Sequence, residues 1–372
     1  MVIVLTIPSL CAGGMERVMT ALATCFAGEG WEVHLVMYGR NPVVFYALPD
    51  TVSLHMPEDK GLWARMPDWL PVIILRRICF LRRKVKKIAP AVLLSFGEYW
   101  NSFVLLSLCG TGIPVFISDR CAPGKKMKGF HEFLRILLYP GAAGIIVQTH
   151  AAEKIYRRRF PGLQATVIPN PLMSLAPGTP SQHQKSILMV ARMITSKHHD
   201  RLISLFAGLE APGWRLLLVG GDDQGQHHLD RLRRLARELQ ISDRVEFAGE
   251  CREVEPYYRS ASIFAFTSSS EGFPNVVAEA LAAGLPVVSY NCEAGPAELI
   301  RDGENGFLVP LFDDTLFRER LQQLVDDKAL RQRMGKTAAE GMAPFEPSAV
   351  ARRYLAFMEQ GIRLPVPKPT PA

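Results

Sequence analysis

The chain has 372 residues, of which 48% are hydrophobic and 21% are charged, and its formal net charge is +7. This is a globular composition, and the length suffices for two domains of ordinary size with a sizeable core. Seven cysteines are scattered without C-x-x-C spacing. They argue against a disulfide framework or a cysteine-based zinc site and suit a reducing compartment.

Neither a signal peptide nor a membrane-spanning helix is predicted. The most apolar stretches, such as residues 102–117, are interrupted by Gly, Pro, Ser and Thr. The N-terminal run Met-Val-Ile-Val-Leu-Thr-Ile has no basic segment and predicts a strand. The positive charge is unevenly spread, because residues 1–150 hold 16 Lys and Arg against 10 Asp and Glu. The first half is therefore expected to face an anionic partner.

Short apolar runs alternate with helical patterns through the first domain, residues 1–170. Strands are predicted over 2–7, 31–38, 52–55, 91–96, 114–118 and 143–148. Helices are predicted over 15–28, 72–88, 101–108, 130–138 and 151–159. This alternation predicts a parallel, doubly wound sheet of the α/β class.

The helix predicted over residues 72–88 combines an apolar stripe with many cations. The stripe consists of Ile74, Ile78, Leu81, Val85 and Ile88. Seven cations and no acidic residue fill its other faces between residues 76 and 87, whereas a solvated helix normally mixes signs. We expect the stripe to pack inward and five cations to face anionic lipid headgroups or the phosphates of a lipid-linked acceptor. These five are Arg82, Arg83, Lys84, Lys86 and Lys87. A plain solubilising face is the alternative.

A second domain is predicted over residues 171–345, after a polar linker at 174–185. Its strands are expected at 186–191, 214–220, 245–247, 263–266, 285–289 and 305–309. A last helix is predicted over 346–360, and residues 361–372, with four prolines, are expected to be disordered.

The unit at residues 263–289 carries the clearest functional pattern. A buried strand leads through a polar loop into a helix that Asn275 can cap and Gly284 can end, and a second strand follows. The loop lies at the carboxyl edge of the sheet, where open α/β sheets bind ligands. The amides of the first helical turn favour an anion such as a diphosphate.

Two carboxylates mark this loop. Glu271 precedes the helix and can face a sugar ring, and Glu279 lies about one turn into it and can accept both hydroxyls of a ribose. For Glu279, a solvated helix residue is the alternative. The run from Glu271 through Phe273 has no evident structural purpose in a tight turn.

This pattern resembles a family signature. Glu271, seven intervening residues and Glu279, with Gly-Phe-Pro after the first and Ala-Gly-Leu-Pro-Val-Val after the second, are similar to the motif of the retaining nucleotide-sugar glycosyltransferases of glycosyltransferase family 4. The resemblance implies the GT-B fold, with two Rossmann-like doubly wound parallel-sheet domains and an active-site cleft between them. It implies that the first domain binds the acceptor and is rejoined by helix 346–360, and that the second binds the nucleotide sugar.

The resemblance also implies roles for individual residues. Arg192 and Lys197 would neutralise the leaving diphosphate, opposite Glu271. Arg120 stands where the family often has a His, and it could bind the donor phosphate or an anionic acceptor, or Asp119 could take part. The donor-binding candidates are Gly13, Gly14, Gly221, Asp222, Val254, Gly272, Phe273, Pro274, Asn275 and Glu279.

No metal or other cofactor is expected, because the cations and the helix N-terminus supply the positive field that the leaving group needs. The implied partners are a UDP- or GDP-sugar, with UDP preferred, and a glycan or lipid-linked acceptor in lipopolysaccharide, capsule or oligosaccharide synthesis. The expected location is cytoplasmic and peripheral on the inner face of an anionic membrane.

Three other classes of protein fit the sequence less well. A GT-B nucleotide-sugar 2-epimerase would need acid–base carboxylates and histidines that the sequence does not indicate. A Rossmann dehydrogenase would need a third glycine after Gly13-Gly14 and a ribose-binding acid. A non-enzyme module that binds an anionic surface through residues 76–87 is the third alternative. Binding of nucleic acid by this run would need interleaved aromatic residues beyond Phe80, so no nucleic acid is expected as a partner.

Overall fold

The computed structural model describes residues 1–11, 13–57, 70–124, 127, 129–172, 184–222, 228–251 and 253–363. These residues form two compact units. The second unit spans Leu172–Glu346, and the first comprises the described residues before and after it. Most of the predicted linker at 174–185 and the end of the predicted tail lie outside the described residues.

The first unit is built on a seven-stranded parallel sheet with the strand order β3-β2-β1-β4-β5-β6-β7. Its elements, in chain order, are β1 (Val2–Ile7), α1 (Gly14–Gly28), β2 (Glu32–Met37), β3 (Val52–His55), α2 (Leu70–Ile88), β4 (Val92–Phe96), α3 (Glu98–Leu108), β5 (Val115–Ser118), α4 (Phe130–Leu138), β6 (Gly144–Val147), α5 (His150–Arg159) and β7 (Ala165–Val167). The sequence predicted each of these elements except β7, whose three residues are too few for a recognisable period.

The second unit is built on a six-stranded parallel sheet with the order β10-β9-β8-β11-β12-β13. Its elements are β8 (Ser186–Val190), α6 (His199–Ala207), β9 (Arg215–Val219), α7 (His228–Glu238), β10 (Val245–Gly249), α8 (Glu255–Ser260), β11 (Ile263–Phe266), α9 (Asn275–Ala282), β12 (Val287–Asn291), α10 (Pro296–Leu299), β13 (Gly306–Pro310), α11 (Asp314–Asp326) and α12 (Lys328–Glu340). Because β8 and β11 are neighbours, the loops that follow them meet at one edge of the sheet.

Both sheets are buried on their two faces, which explains why their strands read as continuous apolar runs. In β1, Ile3 and Leu5 face one apolar cluster, whereas Val4 faces the other. In β8, Ile187 faces one apolar cluster and Leu188 faces another in the same way. Helices therefore cover both sides of each sheet, as a doubly wound α/β fold requires.

The last helix, α13 (Pro347–Arg363), belongs to the first unit. Val350, Tyr354 and Met358 are fully buried in the cluster that also holds alternate residues of β1. The helix continues three residues beyond its predicted end. The expectation of disorder was therefore wrong for residues 361–363, because the apolar face of α13 still packs there, at Ile362.

Across the part of the chain that the structure describes, every helix is too short or too polar to cross a lipid bilayer.

Candidate active site

A short ion pair in the second unit joins two motifs that lie far apart in the sequence. The Lys197 Nζ is 2.5 Å from Glu271 Oε1, and the side chains are only 17% and 11% exposed. Lys197 ends a short 3-10 turn after β8, and Glu271 lies in the loop after β11. The Lys197 ammonium also lies 5.4 Å from the centre of the Phe266 ring. The structure thus pairs the predicted cation with the predicted carboxylate, in a partly desolvated setting that strengthens their attraction.

Hydroxyl groups after β11 hold the turn that carries Lys197. Thr267 Oγ1 donates to the carbonyl oxygen of Lys197 at 2.8 Å. The Ser269 amide donates to the carbonyl oxygen of Ser196 at 2.9 Å. His198 occupies the left-handed region at φ +51°, which costs a non-glycine residue about 1–2 kcal/mol, and its Nε2 lies 2.9 Å from Ser269 Oγ. These contacts compensate for the strained turn and fix the direction of Lys197.

Sequence reasoning missed this part of the site. It assigned no role to His198 and read the run Thr-Ser-Ser-Ser after Phe266 only as a polar loop. The available signal was the density of hydroxyls beside a strand end, since short hydroxyl side chains readily bond nearby backbone groups.

Arg192 follows β8 and is exposed at the same edge of the sheet. The next backbone amide, that of Met193, donates to the Gly221 carbonyl oxygen at 2.9 Å. Gly220 has φ +149°, and a Cβ there would lie 1.9 Å from the Ala191 carbonyl oxygen. Only glycine therefore allows the two strand ends to approach this closely. The donor-binding candidate Gly221 therefore lies beside the segment that carries Arg192.

Asp222 is engaged within the protein. Its Oδ2 accepts a hydrogen bond of 3.1 Å from the Leu229 amide in the first turn of α7. The side chain therefore supports the start of that helix, and its predicted donor contact remains a prediction. Asp223, which follows Asp222, and Arg252, two residues before the candidate Val254, lie outside the described residues.

Glu279 lies in the interior and not on a solvated helix face. It is 6% exposed, and its Oε2 accepts a 2.9 Å hydrogen bond from the Tyr258 hydroxyl of α8. Val254 precedes α8, and its carbonyl oxygen accepts from the Tyr257 amide at 3.1 Å. The donor-binding candidate Val254 and the predicted ribose-binding carboxylate of Glu279 are thus linked through one short helix. Tyr258 was not foreseen, since a single Tyr in a six-residue helix has no distinctive pattern.

The helix that contains Glu279 begins differently from the prediction. Pro274 is the N-cap, with no side-chain cap bond, and Asn275 is the first helical residue, so its assignment as the cap was wrong. The Asn275 amide donates to the Phe273 carbonyl oxygen, and the Val277 amide donates to the Pro274 carbonyl oxygen. Two amides that the sequence assigned to an anion are therefore used within the turn, because proline imposes a tight entry.

Phe273 has the structural purpose that its sequence context did not reveal. It is 8% exposed, and its ring centre lies 6.3 Å from that of Phe345 in an apolar cluster. Gly295 supports the same loop, because a Cβ there would lie 2.4 Å from Pro274 Cδ. Gly272 is thus held between the paired Glu271 and a buried anchor. The ring of Phe273 packs in the core, and the predicted donor contact of this residue remains a prediction.

In the first unit, Gly13 is the N-cap of α1 and Gly14 is its first residue. The Gly13 amide donates to the Tyr46 hydroxyl at 3.1 Å, and this hydroxyl donates back to the Gly13 carbonyl oxygen. Glu16 lies over the same turn, and burial raises its pKa. The Gly-Gly turn is therefore a helix start with an ordered polar surrounding, and its donor contact remains a prediction.

Arg120 is held by partners of its own unit. Its guanidinium donates to Asn170 Oδ1 and, at 2.9 Å, to the Tyr354 hydroxyl of α13, and it lies 3.7 Å from the centre of the Phe96 ring. These contacts join the end of β5 to the last helix. They give Arg120 a structural role, and its part in catalysis remains a prediction.

Asp119, the alternative to Arg120, is also fully engaged. It accepts hydrogen bonds from Asn101 at 2.8 Å and from Tyr139 at 2.7 Å, and it faces Arg135 at 3.2 Å. Burial raises the pKa of Asp119, and the Arg135 charge opposes this shift. This carboxylate connects α3 and α4 inside the first unit.

The cations of α2 divide into docked and exposed groups. Arg82 donates to the carbonyl oxygens of Ser107 and Cys109, at 3.0 and 2.8 Å, and so binds the end of α3. Its prediction as a lipid-facing residue does not fit this position. Arg83, Lys86 and Lys87 are exposed and Lys84 is half-buried.

Among the described residues, no group of three or more His, Cys, Asp or Glu side chains is arranged to hold a metal ion. Metal independence itself remains a prediction about activity.

Comparisons with known proteins identify the family. Residues 12–172 match the family model described as Glycosyltransferase Family 4, and residues 176–341 match Glycosyl transferases group 1. The two doubly wound parallel-sheet units have the GT-B fold of solved glycosyltransferase structures. The chain belongs to this family, and both its predicted family and its predicted fold are confirmed.

Individual relatives cover nearly the whole chain. The amylovoran biosynthesis glycosyltransferase AmsD of Erwinia amylovora is 28% identical over 352 residues, which are 92% of this chain and 95% of the relative. An N-acetylgalactosaminyltransferase of Campylobacter jejuni that acts on a diphospho-undecaprenol-linked sugar is 26% identical, over 94% of this chain and 97% of its own. The crystal structure of Anabaena HepE in complex with UDP has a TM-score of 0.82 at 16% identity, covering 96% and 99% of the two chains.

Proposed function

We propose that this glycosyltransferase is a retaining enzyme that moves a sugar from a nucleotide-diphosphate donor, with UDP preferred, to a glycan or lipid-linked acceptor in bacterial surface-glycan synthesis. The observation that carries the proposal is the Lys197–Glu271 pair at the carboxyl edge of the second sheet. Glu271 lies in the loop that leads into α9, which contains the buried Glu279. The names of the relatives support the pathway, and the UDP complex of HepE supports the nucleotide.

The reaction requires stabilisation of the leaving diphosphate. The bond between the anomeric carbon and the diphosphate oxygen breaks, and a bond to the acceptor oxygen forms on the same face of the sugar. The acceptor proton leaves with the diphosphate. Lys197 and the exposed Arg192 supply positive charge for the departing oxygens, and such preorganised contacts are a major source of catalysis. Glu271 orients Lys197 and faces the sugar. Because the acceptor oxygen forms its bond on the face that the diphosphate leaves, no protein nucleophile is needed.

A nucleotide-sugar panel tests this proposal. Purified protein should release UDP from one UDP-sugar in preference to GDP-sugars, and release should persist in excess EDTA because protein cations replace a divalent ion. The product should keep the anomeric configuration of the donor, as read by NMR. Interconversion of the nucleotide sugar without release of UDP would indicate the 2-epimerase alternative. Loss of activity in EDTA that Mg²⁺ or Mn²⁺ restores would refute metal independence alone.

We further propose that the enzyme works at the cytoplasmic face of an anionic membrane. The exposed Arg83, Lys86 and Lys87 lie within two turns near the end of α2, and each cation near such a surface contributes up to about 1 kcal/mol. Attraction of this kind is screened by salt.

The membrane contact predicts a salt-sensitive association. A triple variant, Arg83→Gln/Lys86→Gln/Lys87→Gln, should co-sediment less with phosphatidylglycerol vesicles than the unaltered protein at low salt, and the two should converge at high salt. Arg82 is left intact because it docks α2 on α3. A triple variant of exposed cations in the second unit, Arg231→Gln/Arg237→Gln/Lys336→Gln, serves as the charge-matched control. Equal binding by the two triple variants would contradict the assignment to α2.

A further inference from the structure

Helix α4 (Phe130–Leu138) turns an apolar face to the solvent. Phe130, Phe133, Ile136 and Leu137 are 69%, 59%, 57% and 61% exposed. At about 100° per residue these four positions fall within an arc of roughly 120°, so they form one continuous stripe. A surface helix of a soluble protein normally has the opposite arrangement. Contiguous exposed apolar patches usually mark binding surfaces.

The inward side of α4 is held by a charged residue. Arg135 is 2% exposed, lies 3.2 Å from Asp119 Oδ2 and donates to the Tyr156 hydroxyl at 2.5 Å. Such a buried ion pair, supported by tyrosine hydroxyls, anchors the helix to β5 and α5. The outward stripe is therefore not required to dock α4 on the rest of the unit.

The neighbouring helices supply the other features of a membrane-facing surface. Helix α3 packs against both α2 and α4, and the rings of Tyr99 and His131 meet at 5.2 Å where α3 and α4 begin. Tyr99 and Trp100 are 40% and 36% exposed. Tyrosine and tryptophan are residues that favour the boundary between water and lipid. On α2, Leu81 and Val85 are buried as expected, but Ile74 is 41% exposed, so its predicted inward packing was wrong. Ile74 and the exposed Leu75 precede the exposed cations of the same helix.

We propose that α4 lies in the plane of an anionic lipid bilayer and buries its stripe among the acyl chains just below the headgroups. The occupant is inferred from charge complementarity, since the same layer of helices presents Arg83, Lys86 and Lys87 together with exposed apolar and aromatic side chains. This inference rests on the proposed membrane contact of α2 and deepens it. Helix α2 attracts the protein to the surface in a salt-dependent way, whereas α4 adds a contribution that salt does not screen.

The test compares matched serine variants. Phe130→Ser/Phe133→Ser removes the aromatic part of the stripe, and Leu239→Ser/Leu311→Ser removes two exposed apolar residues of the second unit. Partition onto mixed phosphatidylglycerol and phosphatidylcholine vesicles is measured at low and high salt. We expect the α4 variant to bind about tenfold more weakly at both salt concentrations, because buried apolar area is lost. The control should bind like the unaltered protein.

Other outcomes distinguish the proposals. Equal partition of the α4 variant and its control overturns the role of α4, and the α2 triple variant shows separately whether the electrostatic contact exists. If the unaltered protein is a dimer and the α4 variant is a monomer, while vesicle binding is unchanged, the stripe is an interface between two copies. Equal melting temperatures check that the exposed substitutions leave the fold intact. Equal UDP release by all variants keeps the result separate from the proposed reaction.

Discussion

Replacing Lys197 with Ala is expected to lower kcat for UDP release about 10²- to 10³-fold while KM for the donor changes little. In the proposed reaction, charge develops on the leaving diphosphate beside this ammonium. Glu271 holds the ammonium at 2.5 Å, and Thr267 holds the backbone of Lys197 through its carbonyl oxygen. Loss of a preorganised contact of this kind raises the barrier of the chemical step more than it weakens ground-state binding. Initial rates at saturating donor provide the measurement.

Two companions sharpen this experiment. Lys336→Ala removes an equally charged but exposed lysine of the same unit and should leave kcat unchanged. Glu271→Gln and the double variant Lys197→Ala/Glu271→Gln complete a double-mutant cycle, which separates a catalytic cation from a merely structural ion pair. If the Lys197→Ala variant has a lower melting temperature but the kcat of the unaltered protein, the pair is structural and the proposed site is wrong.

Replacing Glu279 with Ala is expected to weaken UDP binding about 10- to 100-fold, with a smaller effect on kcat. The carboxylate is buried, so the proposed hydrogen bonds to a ribose would be protected from water, and a bond to a charged group contributes about 1.5–3 kcal/mol. Isothermal titration with UDP measures the effect directly. Arg192→Ala should act differently, with most of its loss in kcat.

The contact of Glu279 with Tyr258 supplies the control. Tyr258→Phe keeps the ring in its apolar cluster and removes only the hydroxyl that donates to Glu279 at 2.9 Å. It should alter the affinity for UDP much less than Glu279→Ala, and it should lower the melting temperature slightly. If both variants lose the same affinity, Glu279 acts by positioning α8 and not by binding the nucleotide.

Much of the architecture was predictable because it depends on local patterns. The fully buried strands are continuous apolar runs in the sequence, and glycines and prolines end the helices. Alternation of strand patterns with helical patterns along the chain implies parallel sheets. The pattern around Glu271 and Glu279 placed the candidate site at the carboxyl end of β11. Boundaries were less accurate, as α13 and the cap of α9 show, since helix ends depend on packing and on competing backbone bonds.

The tertiary structure alone decided what the side chains do. Lys197 and Glu271 are 74 residues apart, and they meet only because β8 and β11 are neighbours in the sheet. Phe273 was read as functional, and it packs in the core. Arg82 was read as lipid-facing, and it docks on α3. Local periodicity shows which residues share a helix face, but the direction of that face depends on what the helix packs against. For α4, buried Arg135 determines that direction, so the apolar stripe points outward.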